Sequence, residues 1–187
     1  MKKLTLFTSV ISVFIASNVF AHNIKINEAL PLVKIEEKGE LKLIDDQIEY
    51  QVWNSQNLIG KVRVLQHIAG RTTVKEKNIP LMSAIKNAKF NPTHYQTTNI
   101  INADDAIFGT AIFVKTSTEE AKKENEHSQI ILDQHSTVKN AWQLKEKESL
   151  IVVLDKNAKV QYVSEGKLSS EEIDKIINLV KELLKNK

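Results

Sequence analysis

The sequence predicts an α/β fold: a three-layer sandwich with a mixed central sheet, helices on both faces and an N-terminal strand extension. Three stretches carry that reading. Val62 to Ile68 is an apolar, β-branched run, followed by a polar turn at Gly70 and a helical pattern, the strand–turn–helix of a parallel βαβ unit. Leu150-Ile151-Val152-Val153-Leu154 is continuously apolar and turns through Asp155-Lys156-Asn157-Ala158 into Lys159 to Val163, an antiparallel hairpin. Ile173, Ile176, Ile177, Val180, Leu183 and Leu184 then make one stripe at helical spacing, which must lie on the sheet.

Taken in order, the chain opens on residues expected to be removed. Lys2 and Lys3 precede the mostly apolar run Leu4 to Phe20, which ends in Val19-Phe20-Ala21. This is the pattern of a secretory signal peptide over 1–21, with cleavage after Ala21, and it leaves 22–187 as one domain. Thr5, Thr8, Ser9, Ser12, Ser17 and Asn18 dilute the run, which makes it a poor membrane anchor. Leu41 to Ile44 and Ile48 to Trp53 alternate as short strands, with Gly39 expected to turn the chain before the first. Asn54 to Gly60 reads as a turn or short helix. After Val62–Ile68 the helical pattern runs from Thr72 to Ala88, and Pro80 inside it removes the bond to the Glu76 carbonyl and predicts a kink.

Asn91-Pro92 breaks the pattern, and Tyr95 to Ile101 is the next strand. Gly109 to Glu126 reads as a helix, Gln129 to Leu132 as a short buried strand, and Asp133 to Ser136 as a turn. Thr137 to Leu144 fits either strand or helix. In the last helix Ser169 and Glu172 form a capping box, with Leu168 and Ile173 placed as its hydrophobic staple.

Composition restricts function more than it assigns it. The net charge of +3 includes Lys2 and Lys3; without them 24 basic residues face 23 acidic ones. No basic block or basic helix suggests nucleic acid, and export argues against it as well. The chain has no cysteine, so it can perform no thiol–disulfide chemistry with its own residues and carries no lipid-acylation site. A soluble protein of the bacterial periplasm, off the membrane once the signal is cleaved, is the expected localisation.

The element order resembles the thioredoxin-like superfamily, in its peroxiredoxin and TlpA-like branch. Gly60-Lys61 stands where that family opens its central strand. The family's helix proline follows the second motif cysteine by five residues. Setting Pro80 on it puts Lys75 at the second cysteine and Thr72 at the nucleophilic one. The family's cis-proline precedes the hairpin Asp by six residues, and counting back from Asp155 gives Ser149. At closer range the chain resembles the YtfJ family of exported bacterial proteins, thioredoxin-like in fold and without an established activity. The resemblance rests on Gln66-His67-Ile68-Ala69-Gly70-Arg71-Thr72, Asn102-Ala103-Asp104-Asp105-Ala106-Ile107, Ala141-Trp142-Gln143-Leu144 and Val152-Val153-Leu154-Asp155-Lys156.

Each polar residue near that register has two readings. Thr72 is either a hydroxyl nucleophile activated by His67 or an N-cap. His67 is either a base beside a helix N-terminus or a hydrogen-bonded core histidine, with Gln66 on the opposite face. The chain has only two arginines, Arg63 and Arg71, both in this stretch. Arg71 and Lys75 either hold a carboxylate or phosphate or form a solvated edge. Asp104, Asp105 and His94 do not have the spacing of a metal site, and no metal or cofactor is expected. Trp53 and Trp142 read as packing aromatics.

The expected function is a binding or accessory module, redox-inactive by itself. Gln66, Gly70, Arg71, Thr72, Lys75, Asp104, Asp105 and Ser149 are the candidate ligand-binding residues, for a peptide, a protein or a small anion. A scaffold protein, or a non-thiol enzyme using His67 and Thr72, are the alternatives.

Overall fold

Two consecutive aspartates close the first hairpin. The computed structural model describes residues 22–185, so the expected signal peptide lies outside the described residues. Strand β1 (Lys34–Ile44) and strand β2 (Gln47–Asn54) pair antiparallel around Asp45 and Asp46, whose φ angles of 48° and 61° suit a tight turn. Gly39, expected to turn the chain before β1, lies inside that strand. It sits at an irregularity in the β1–β2 register, with φ of 73°. A Cβ there would lie 2.3 Å from the Gln51 carbonyl oxygen, so glycine serves a bulge and a close backbone approach.

A 3-10 turn at Ser55–Leu58 leads to the central strand β3 (Val62–Ala69), every residue of which is buried. The expected kinked helix is two helices, α1 (Thr72–Lys77) and α2 (Ile79–Ala88), separated at Asn78. Pro80 has no N–H to return to Glu76 and falls in the first turn of α2, where proline is best accommodated. Strand β4 (Tyr95–Asn102) comes next, then α3 (Ala111–Glu124), β5 (Gln129–Asp133) and α4 (Thr137–Trp142), which resolves the ambiguous stretch as helix. The hairpin β6 (Ser149–Leu154) and β7 (Val160–Glu165) leads to α5 (Ser170–Lys185). Ser169 Oγ accepts the Glu172 N–H at 3.2 Å and Glu172 Oε2 accepts the Ser169 N–H at 2.8 Å, the reciprocal capping box.

The seven strands form one mixed sheet in the order β2-β1-β5-β4-β3-β6-β7. The pairs β3–β4 and β4–β5 are parallel; the others are antiparallel. Alternate side chains of β3 define the two faces. Val62 and Val64, with Ile151 and Val153 of β6, pack under Leu81, Ile85, Ile176 and Val180 of α2 and α5. On this face α3 contributes Val114 and Ala121, over Leu41, Ile130 and Leu132. Leu65, Ile100, Ile131, Leu150 and Val152 face the other way, toward Val138 and Trp142 of α4 and toward Ile24, Leu30 and Val33 of the N-terminal segment. Helices therefore cover both faces. Both tryptophans are fully buried, in keeping with their reading as packing aromatics.

Arg63 is buried in the face that holds Leu65, yet its charge is well satisfied. Nε donates to the Leu58 carbonyl at 2.7 Å, and Nη1 lies 2.6 Å from Gln96 Oε1, 3.0 Å from Thr98 Oγ1 and 3.1 Å from Gln129 Oε1. Burial lowers its pKa to about 10, with the Glu40 charge opposing, so it stays a cation at neutral pH. This arginine is structural.

Candidate functional site

The C-terminal ends of the parallel strands β3, β4 and β5 collect nearly all the polar residues singled out by sequence, the edge where open α/β sheets bind ligands. The structure sorts these residues into three groups.

The first is a chain of internal hydrogen bonds beneath the α1–α2 break. Gln66 Nε2 donates to Asn99 Oδ1 at 2.7 Å, and Asn78 Nδ2 donates to Gln66 Oε1 at 3.1 Å. Ser149 Oγ lies 3.4 Å from Asn78 Oδ1 and 3.3 Å from the Gly166 carbonyl oxygen. Beside it the Lys77–Glu148 ion pair closes at 2.5 Å, and Glu148 Oε1 also accepts the Ser149 N–H at 3.0 Å. Burial favours the neutral form of Glu148, but Lys77 and the Ser149 N–H outweigh it and hold the carboxyl below its ordinary value. Gln66 and Ser149 are thus committed to the fold. A ligand reaching them must first break bonds between buried groups. Asn78, which links the two, carried no sequence signal: its importance comes only from the helix break that turns it inward.

The second group lies on the opposite face. The β3–β4 and β3–β6 registers run without interruption and pair His67 with Ile100 and Leu150, so it faces the layer of α4. Thr72 begins α1, whose Val74 packs on Ile68 and Ile101 across the sheet. The expected His67–Thr72 pair is therefore not assembled, and the enzyme reading built on it falls. Nor is Thr72 an N-cap. Arg71 occupies that position without a side-chain capping bond, and Thr72 is the first, exposed residue of the helix. His67 is buried with Nε2 unpartnered. Burial pushes its pKa down to about 4 despite the nearby Asp133 and Asp105, so it is neutral near pH 7.

Around it, Asp105 joins three segments. Its backbone carbonyl accepts from Arg71 Nε at 2.6 Å, Oδ1 pairs with Lys139 at 3.1 Å, and Oδ2 accepts the Lys147 N–H at 3.3 Å. Asp104 accepts from Ser136 Oγ at 2.7 Å, and Ser136 also bonds Asn102. Asp133 takes the N–H groups of His135 and Val138, the second at 2.8 Å, and so caps α4 from the end of β5. Asn102, Asp133, Ser136 and Lys139 were not among the expected site residues. A polar residue ending each of two buried strands was the one signal available for Asn102 and Asp133. Gly70 completes the joint: its N–H donates to the Asn102 carbonyl at 2.8 Å, and a Cβ would lie 3.0 Å from that oxygen and 3.2 Å from Val114.

The third group is what remains outside. Thr72 and Lys75 are exposed, and among the described residues no hydrogen bond or ion pair engages their side chains. Arg71 is half-buried and, among the described residues, bonds through Nε alone, leaving its terminal nitrogens. Thr72 and Lys75, three residues apart, lie on one side of α1, and Arg71 precedes them as the extended residue at the helix start. His94, Asp104 and Asp105 do not converge, and the described residues hold no group of three or more His, Cys, Asp or Glu able to bind a metal ion.

Comparison with known proteins gives the same outline. A family model described as a bacterial protein of unknown function (YtfJ_HI0045) matches residues 24–183. An uncharacterized protein of Haemophilus influenzae is 51% identical over 176 residues, covering 94% of this chain and 96% of that protein. The uncharacterized protein YtfJ of Escherichia coli K12 is 48% identical over 165 residues, covering 88% and 90%. Among solved structures, a putative protein disulfide isomerase from Bacteroides thetaiotaomicron superposes with a TM-score of 0.60 at 17% identity, covering 88% of this chain and 92% of that one. At that identity the likeness concerns the fold, which is thioredoxin-like.

Proposed function

Because the chain belongs to the YtfJ family of bacterial proteins, we propose that it is a thioredoxin-like binding module of the periplasm, redox-inactive by itself, which holds an acidic segment of a protein or peptide partner. The observation that carries this reading is the contrast at the helix start. Arg71, Thr72 and Lys75 keep unspent donors at the surface, while the polar groups beneath them are bonded internally. Arginine offers a planar fork suited to a carboxylate, and Lys75 adds a second cation within reach. With no cysteine in the chain, the module acts by holding its partner and not by exchanging a disulfide with it.

The test is capture from periplasmic extract by the immobilised mature protein, in parallel with an Arg71→Ala/Lys75→Ala double variant. A charge-held partner should be lost from the double variant by roughly tenfold or more and released from the wild type by added salt. Equal capture by both proteins would remove the rim from the site. Export is checked separately: fractionation should place the protein in the periplasm, and N-terminal sequencing should begin at His22.

A scaffold role is the second reading, favoured by the continuous bonding from Asn99 through Gln66 and Asn78 to Ser149. It differs in one outcome, since a scaffold captures nothing through Arg71 and Lys75.

A further inference from the structure

Next to the cationic rim, the segment from Ile107 through the first turn of α3 carries the largest apolar side chains left in solvent among the described residues. Phe108 is 103% exposed, Phe113 70%, Ile112 68% and Ile107 57%. They are not the loose end of a core. In α3 the inward side chains are Val114, Thr118, Ala121 and Lys122, so Ile112 and Phe113 lie on the outer side of the first turn. The preceding loop is a built turn. Thr110 donates its N–H to the Ile107 carbonyl at 2.9 Å and its hydroxyl to the same oxygen at 2.7 Å. Gly109 takes φ of 81° with open space on its Cβ side. Phe108 is held outward by that turn, and the cost of presenting it to water calls for a compensating contact.

We propose that Ile107, Phe108, Ile112 and Phe113 form an isologous interface between two copies of this chain. Charge and area both favour a second copy as the occupant. From Ala106 to Val114 no residue is charged, in a chain in which 26% of residues are. An uncharged apolar surface is complementary to itself, whereas a charged one repels its own image across a two-fold axis. The four exposed side chains offer on the order of 550 Å², near the upper limit for a patch on a monomer. Two such patches together bury on the order of 1,100 Å², close to the lower bound of about 1,200 Å² for a specific interface. The two phenylalanines supply the central anchors. This interface borders the rim, since Arg71 donates to the Asp105 carbonyl just before Ile107, but it uses different side chains.

The experiment is sedimentation equilibrium on the mature protein over a concentration series, with Phe108→Glu and Phe113→Glu alongside. The wild type should show twice the monomer mass, and each variant should raise the dissociation constant by roughly a hundredfold or more, with far-UV circular dichroism unchanged. Because the chain has no cysteine, a single Ile112→Cys substitution gives a second readout that leaves the apolar patch largely in place. Under mild oxidation it should yield a disulfide-linked dimer, two thiols each losing a hydrogen to the added oxidant, while Ser117→Cys one and a half turns along α3 should not. A wild type monomeric at every concentration overturns the proposal. So does a dimer whose constant is unmoved by both Glu substitutions, or cross-linking that is equal at the two cysteine positions. Lys75→Ala, at a side chain that engages nothing among the described residues, should leave the dimer intact while weakening partner capture, which separates this interface from partner binding.

Discussion

His67 is a neutral base enclosed by protein, and its two protonation states differ between the folded and unfolded chains. Folding lowers its pKa from 6.5 to about 4, so between those values the unfolded chain takes up a proton that the folded chain refuses. Stability contributed by this group is complete above pH 6.5 and is lost as pH falls toward 4, by about 3 kcal/mol over the window. Urea denaturation of the wild type across that range should show the decline, and a His67→Leu variant should be flatter through it. Equal slopes in the two proteins would mean that His67 does not sense the acid transition. His135 works with the opposite sign, since its bond to Glu37 raises its pKa and stabilises the folded state at low pH, but its full exposure makes it a minor contributor. The sequence could place His67 near the end of a central strand and set Gln66 on the other face, because side chains alternate along a strand. It could not say which face belonged to α1. That depends on the hand of the crossover to β4, a relation between elements that no residue pattern records.

At the scale of elements, the break between α1 and α2 shows how a proline changes the role of its neighbours. Pro80 was legible, and so was the loss of a bond to Glu76. The new role of Asn78 was not. Outside either helix, it turns its side chain beneath them and joins Gln66 of β3 to Ser149 of β6. Replacing it with leucine would leave the Gln66 carbonyl oxygen and the Ser149 hydroxyl without this partner in a buried setting. The expected cost is about 2–3 kcal/mol, read from the midpoint of chemical denaturation. A change under about 0.5 kcal/mol would show that water or a side-chain shift replaces the link. Gly39 has the same lesson. A glycine before a strand reads as a turn, and only the distance to the Gln51 carbonyl reveals a bulge within the strand.

For the whole molecule, the sheet order gives a ranking of local stability. β3 and β6 are adjacent, paired on both edges and buried throughout, while β2 and β7 are the outer strands and are largely half-buried or exposed. Amide hydrogen exchange should be slowest in Val62–Ala69 and Ser149–Leu154 and faster in β2 and β7. Protection in β2 equal to that in β3 would contradict this ordering, or show that β2 is covered in solution. The apolar runs, the hairpin and the amphipathic C-terminal helix were all readable because burial imposes a period on sequence. The polar edge was less so. Residues drawn there by tertiary pairing, such as Asp133 and Lys139, look like ordinary turn and helix residues until three loops meet.

The shortness of α1 has a consequence for how the rim responds to load. Six residues make fewer than two turns, and Val74 is the buried anchor of that helix. A partner held by Arg71 and Lys75, as proposed above, would therefore pull on the shorter of the two helices in this crossover. Below the grip, the fastened row from Gln66 to Ser149 stays closed. Fraying of that short helix need not disturb the sheet, and amide exchange should be faster in Thr72–Lys77 than in Val62–Ala69.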